Sequence, residues 1–146
     1  MSRTRKSKGG TETLPALGLD LDGTIDEAPE FFRFLAKTWP GPVYIITYRD
    51  NQEKAIADAA KFGVEAEVIL VSDFSEKAQI IKDRNIKVFF DDMGEVLIHV
   101  PEDVAVFKVR NGGNFCFDTK KWYTAESRCG RFNEQQWPKA APGQEC

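Results

Sequence analysis

Between residues 14 and 110 the chain alternates short apolar runs with amphipathic stretches. The runs at 16–21, 43–47, 67–71, 86–90 and 104–109 are largely apolar, and the second is mostly β-branched. They read as strands of a parallel sheet buried on both faces. The stretches at 29–39, 51–62 and 76–84 carry apolar residues at helical spacing, and 94–99 suggests a shorter helix. Pro29 suits the first turn of its helix, Glu27 and Glu30 suit the helix N-terminus, and Pro40-Gly41-Pro42 ends it. The spacing turns Phe31, Phe34, Leu35 and Trp39 toward the sheet in the first helix. In the second, Ala55, Ile56, Ala59 and Phe62 face inward, with Gly63 as the stop. Ser75 reads as the N-cap of the third, which packs through Ala78, Ile80 and Ile81.

Strand and helix alternating with short connections predict a doubly wound, Rossmann-like α/β fold. It has three layers and a parallel sheet of about five strands. Such sheets bind ligands beyond the carboxyl ends of their strands. Asp20 and Asp22 follow the first strand, Thr47 ends the second, and Asp91 and Asp92 follow the fourth. The polar residues that stand out therefore fall on one edge. Asp20 and Asp22 start on the same side of an extended strand. Two like charges so close need a cation, a proton or a ligand to compensate them.

The flanking segments read differently. Residues 1–13 hold Arg3, Arg5, Lys6 and Lys8 and read as a flexible basic arm. Residues 111–132 begin with the turn Asn111-Gly112-Gly113-Asn114. Phe115, Phe117, Trp122 and Tyr123 then suggest an aromatic extension, a hairpin packed on the sheet edge, with a base-stacking platform as the other reading. Residues 133–146 read as a loose tail.

At 146 residues the chain fits one domain, and a net charge of −3 does not suit a dedicated nucleic-acid binder. Nucleic acid enters only as a substrate. Cys116, Cys129 and Cys146 lack metal-site spacing and read as reduced thiols. With no long apolar run and no signal core, the expected location is the cytoplasm and no membrane partner is expected.

Asp20-x-Asp22-Gly23-Thr24, Thr47 at a strand end, Lys77, and Asp91-Asp92 after another strand resemble the four motifs of the haloacid dehalogenase superfamily of phosphohydrolases. The resemblance spans about residues 14–110. It implies a Mg²⁺-dependent phosphomonoesterase with Asp20 as nucleophile, forming an aspartyl-phosphate, and Asp22 as general acid/base. Thr47 would bind a phosphoryl oxygen. Lys77, 14 residues before Asp91 as in the third motif, would balance phosphate and nucleophile. Lys82 reads as a solvated helix face, and Lys87 lies at the wrong end of its strand. Asp20, Asp92 and the backbone carbonyl of Asp22 would hold Mg²⁺, with Asp91 ligating directly or through water. Gly23 and Thr24 line the phosphate site. Tyr48, Arg49 and Asp50 read either as solvated loop or as substrate contacts. His99 reads as structural.

Members of that superfamily usually carry specificity in cap domains, inserted after the first motif or between the second and third. Here neither gap has room for one, so the chain reads as capless. An open site suits a phosphorylated macromolecule end or a nucleotide, while small phosphometabolites remain admissible. The alternatives are a phosphotransferase on the same fold and a non-catalytic phosphate-binding or interaction module.

Overall fold

A computed structural model describes residues 14–123. The expected arm at 1–13, the tail at 133–146, and the aromatic extension beyond residue 123 lie outside the described residues. Five parallel strands form the central sheet: β1 (Ala16–Leu19), β2 (Val43–Tyr48), β3 (Glu67–Val71), β4 (Ile86–Asp91) and β5 (Ala105–Lys108). Their order is β3-β2-β1-β4-β5. The chain thus winds outward from β1 in one direction, then returns to the other side of β1 for β4 and β5. This is the doubly wound arrangement, with its switch point between β1 and β4.

The connections are helices α1 (Pro29–Thr38), α2 (Gln52–Lys61), α3 (Ser75–Asp83) and α4 (Gly94–Leu97), with a 3₁₀ turn at Ile25–Glu27. Between β1 and β2 stand only that turn and α1, and between β2 and β3 only α2. No inserted domain separates them. A hairpin of β6 (Phe115–Cys116) and β7 (Lys121–Trp122) follows the sheet. Among the described residues no helix is long and apolar enough to cross a membrane.

Two cores sandwich the sheet. Leu17, Leu19, Leu21, Ile45 and Val68 pack with Phe32, Ala55 and Ala59 from the α1/α2 side. Ala16, Ile46, Phe89 and Met93 pack with Ile81 and Val96 from the α3/α4 side. Gly18 of β1 is small by necessity, since a Cβ there would stand 2.8 Å from the Phe89 ring.

Several expectations are corrected in detail. In α1 the buried aromatic is Phe32, whereas Phe31 and Phe34 are largely exposed. Phe32, Leu35, Ala36 and Trp39 all pack into the α1/α2 core, at the i, i+3, i+4, i+7 spacing of a helix stripe. In α2, Ala55 and Ala59 are buried, but Ile56 is exposed. Ser75 does not cap α3 from outside. It opens the helix, and its N–H and hydroxyl both donate to the Asp73 carboxylate, at 2.7 and 2.6 Å. β1 ends at Leu19 and not at residue 21, because Leu21 O accepts the N–H groups of Thr24 and Ile25 and turns the chain out of the sheet. Every residue of β5 is exposed, since it is an edge strand and only the single-turn helix α4 leads into it.

Candidate active site

The switch point places the carboxyl ends of β1 and β4 side by side, where a doubly wound sheet opens its crevice. Asp20 follows β1 and its N–H still donates to Phe90 O at 3.0 Å, so it is held in the ladder's continuation. Asp91 ends β4 and Asp92 follows. Oxygens of Asp20, Asp91 and Asp92 lie within 4.8 Å of one another, and all three residues are buried.

Lys77 enters from the first turn of α3. Its Nζ donates to Asp20 Oδ1 at 2.9 Å and to Asp91 Oδ2 at 2.8 Å, with 3% of the residue exposed. The other oxygen of each partner is also engaged. Thr24 Oγ1 donates to Asp20 Oδ2 at 3.1 Å, and Met93 N donates to Asp91 Oδ1 at 2.9 Å. Burial opposes the Lys77 charge, but Asp20 and Asp91 outweigh it and hold its pKa above the ordinary lysine value.

One ammonium does not balance three carboxylates. Two like charges 4.8 Å apart repel by about 3 kcal/mol at an effective dielectric of about 20. Burial, then Asp91, push the Asp20 carboxyl well up despite Lys77. Burial and Asp91 likewise push Asp92 up to about 6, against a hydrogen bond from Asn111. The cluster is short of positive charge, and its donors are all hard oxygens. That is the environment a small divalent cation such as Mg²⁺ takes.

Gly23 makes the turn between the acids and the helix. Its φ is +80°, and a Cβ there would collide with Asp92 Oδ2. Its N–H donates to Asp26 Oδ1 at 2.7 Å. Its carbonyl accepts from Asn111 Nδ2 at 2.7 Å, and that same amide donates to Asp92 Oδ2 at 3.0 Å. Asn114 Nδ2 donates to Asp92 O and Val109 O at 2.6 and 2.7 Å. In the sequence these asparagines read only as a turn. Nothing in their spacing shows that the turn folds back onto Asp92, because the contact spans 88 residues from Gly23 to Asn111.

Asp22 faces away from the cluster toward Arg49. Arg49 Nε and Nη2 grip its two oxygens at 2.9 and 2.7 Å, and Nη1 donates to Asp58 Oδ2 at 2.8 Å. Hydrogen bonds to Asp22, against the cost of burial, raise the Arg49 pKa further above its already high value. Asp58, on α2, carries no signal in the sequence, since it is one of four charged residues on a helix that is mostly exposed. Thr47 lies one residue before the end of β2, which runs on to Tyr48. It is buried, and its Oγ1 is the one buried side-chain polar atom without a hydrogen-bond partner among the described residues. Tyr48 packs edge-on against Phe74, with ring centres 5.3 Å apart, and Asp50 is exposed. His99, Lys82 and Lys87 lie outside the cluster, and Lys87 pairs with Asp103 at 2.7 Å.

Neither a scan against protein-family models nor a search of curated proteins finds a match. A search of solved structures finds a universal stress protein in complex with cAMP. It is 11% identical over 68% of this chain and 100% of that chain, with a TM-score of 0.44. The expected membership of the haloacid dehalogenase superfamily is therefore corrected: the fold likeness found is to a universal stress protein, and the family assignment is withdrawn. At that identity and TM-score the likeness carries nothing about the ligand or chemistry of this chain. The class that fold and site define is a doubly wound α/β protein with a buried carboxylate–lysine cluster at its switch point.

Proposed function

We propose that the chain is a Mg²⁺-dependent phosphomonoesterase. The observation that carries this reading is the Lys77 ammonium buried between Asp20 and Asp91, with Asp92 beside them, at the carboxyl ends of β1 and β4. Asp20, Asp91 and Asp92 would hold the cation, with the Asp22 carbonyl beside them. Bound there, it supplies the charge that lets an anionic carboxylate approach an anionic phosphate.

The remaining work falls to the chain's own groups. Asp20 Oδ bonds to phosphorus as the ester oxygen leaves, and Asp22 gives its proton to that oxygen. Water then attacks the phosphorus of the aspartyl-phosphate while Asp22 takes its proton. The bond to Asp20 breaks, and inorganic phosphate leaves. Lys77 fixes the orientation of the Asp20 carboxylate and offsets charge on the phosphoryl oxygens. The orphan Thr47 hydroxyl supports the same reading, because a phosphoryl oxygen would give it the partner it lacks.

Asp22 must leave Arg49 to act as acid. An anionic substrate can take its place on the guanidinium, and the released Asp22 carboxylate then takes from solvent the proton it gives to the leaving oxygen. The reading is tested with an aryl phosphate, Mg²⁺ and chelator. Turnover lost with chelator and in Asp20→Asn supports it. No turnover across a broad phosphoester panel by folded protein overturns it. Phosphate binding that survives Asp20→Asn without any turnover would favour a non-catalytic module instead.

A further inference from the structure

We propose that the β6–β7 hairpin and the adjoining end of β5 form a docking surface for a single-stranded polynucleotide. The surface goes beyond the phosphatase reading. Only the idea that a docked strand presents its terminal phosphate to Asp20 rests on it.

Charge comes first. Residues 107–123 contain Lys108, Arg110, Lys120 and Lys121 against one acid, Asp118, in a chain whose net charge is −3. The positive charge is therefore concentrated where the rest of the molecule is acidic. A polyanion is the complement of such a patch.

Ring geometry comes second. Phe117 and Trp122 flank the buried Phe115, each with its ring centre 5.1 Å away and edge-on. Both outer rings stay half exposed, 48% for Phe117 and 45% for Trp122. Lys108 Nζ lies 4.4 Å from the Trp122 ring centre. The Arg110 guanidinium lies 5.0 Å from Phe115 and 5.3 Å from Phe117. Two half-open aromatic faces with cations set against them match the alternation of base and phosphate along a single strand. A peptide carrying one phosphate would use the cations but leave the rings unused. A membrane surface would call for an unbroken apolar patch, and this one is interleaved with charge.

Position comes third. The hairpin grows from the loop that touches the carboxylate cluster. Asn111 and Asn114 bond to the side chain and backbone of Asp92, and Lys108 stands opposite Asp91 in the sheet register. A strand lying on the hairpin therefore ends close to Asp20, with no inserted domain between them.

The test is fluorescence anisotropy of a labelled oligo-dT of about ten nucleotides, within the site sizes such surfaces show, titrated with the full chain. Binding should weaken steadily with added salt. Trp122→Ala with Phe117→Ala should weaken it by about tenfold or more, the range expected for lost base stacking. Lys120→Gln with Lys121→Gln changes only exposed side chains and poses little risk to folding. It should weaken binding and lower the salt slope by about 0.7 for each phosphate that is no longer neutralised. Both variants should turn over an aryl phosphate as the parent does.

The proposal is overturned if the parent shows no salt-dependent binding, or if both variants bind as tightly as the parent. The second result would place the binding elsewhere than on the hairpin. A phosphopeptide that outcompetes the oligonucleotide overturns it as well. Oligonucleotide binding without phosphoester turnover supports the surface and removes the phosphatase reading. Turnover without oligonucleotide binding does the reverse.

Discussion

Replacing Asp92 by Asn should make the metal-free protein more stable near neutral pH, although it removes a buried charged group. Asp92 titrates at about 6 in the folded chain against an ordinary value of 3.8, chiefly because it is buried and faces Asp91. The unfolded chain gives up this proton near pH 3.8, while the folded chain holds it until about 6. Across that window the folded state binds more protons, so stability falls as pH rises. The full contribution is present below 3.8 and has been lost above 6. A shift of about two units corresponds to roughly 3 kcal/mol. Asn carries no charge but keeps a carbonyl oxygen for the Asn111 amide, which now donates to Asp92 Oδ2 at 3.0 Å.

Urea unfolding in chelator, followed by circular dichroism at several pH values, measures this directly. At pH 7 the Asp92→Asn midpoint should lie about 1–2 M above the parent for a chain of this size. At pH 4 the two curves should nearly coincide. Mg²⁺ at about 1,000 times its Kd should reverse the order, since it adds about 4.1 kcal/mol to the parent, while the variant has lost a ligand. A variant no more stable than the parent at pH 7 in chelator would refute the reasoning. So would a gain of equal size at pH 4, because the effect would then not come from the Asp92 charge.

Lys77→Met should cost about 3–5 kcal/mol in the same urea assay, because it leaves Asp20 and Asp91 buried without their cation. Gly23→Ala should lose at least about 1 kcal/mol from its left-handed backbone, and the collision with Asp92 should also abolish stabilisation by Mg²⁺. Asp22→Asn should slow aryl phosphate hydrolysis by about 10²–10⁴ while leaving stabilisation by Mg²⁺ intact, since its carboxylate faces Arg49 and not the cluster.

The winding of the sheet was legible because buried strands and amphipathic helices differ in period, and because Pro and Gly mark the boundaries. The choice of buried face in α1 was not. Phe31, Phe32, Phe34 and Leu35 are all apolar, so two overlapping stripes fit the helix, and only packing against the sheet selects Phe32. The meeting of Asp20, Lys77, Asp91 and Asp92 could be anticipated, since each sits at or beside a strand's carboxyl end, where the topology collects them. Asn111 and Asn114 could not be anticipated as parts of the cluster. A Gly-Gly turn bounded by asparagines is explained by its own backbone, and its reach to Gly23 and Asp92 depends on where β5 docks. The Asp22–Arg49–Asp58 chain was half legible: Arg49 stood out beside Thr47, but Asp58 gave no signal among the charges of α2.

The two acids of Asp20-Leu21-Asp22 end in different electrostatic surroundings, and that separation makes a division of labour physically reasonable. Asp20 is locked in a buried cluster by Lys77 and Thr24, so its carboxylate is fixed in direction and short of compensating charge. Asp22 has a side chain 40% exposed and a partner, Arg49, that is itself shared with Asp58. Water screens that pair, so exchanging Asp22 for a substrate anion on Arg49 costs little, whereas displacing Lys77 from Asp20 would expose a buried charge. A nucleophile needs the first environment and a mobile proton carrier needs the second. Leu21, 1% exposed in the α1/α2 core, stands between them and keeps the two carboxylates from collapsing into one cluster.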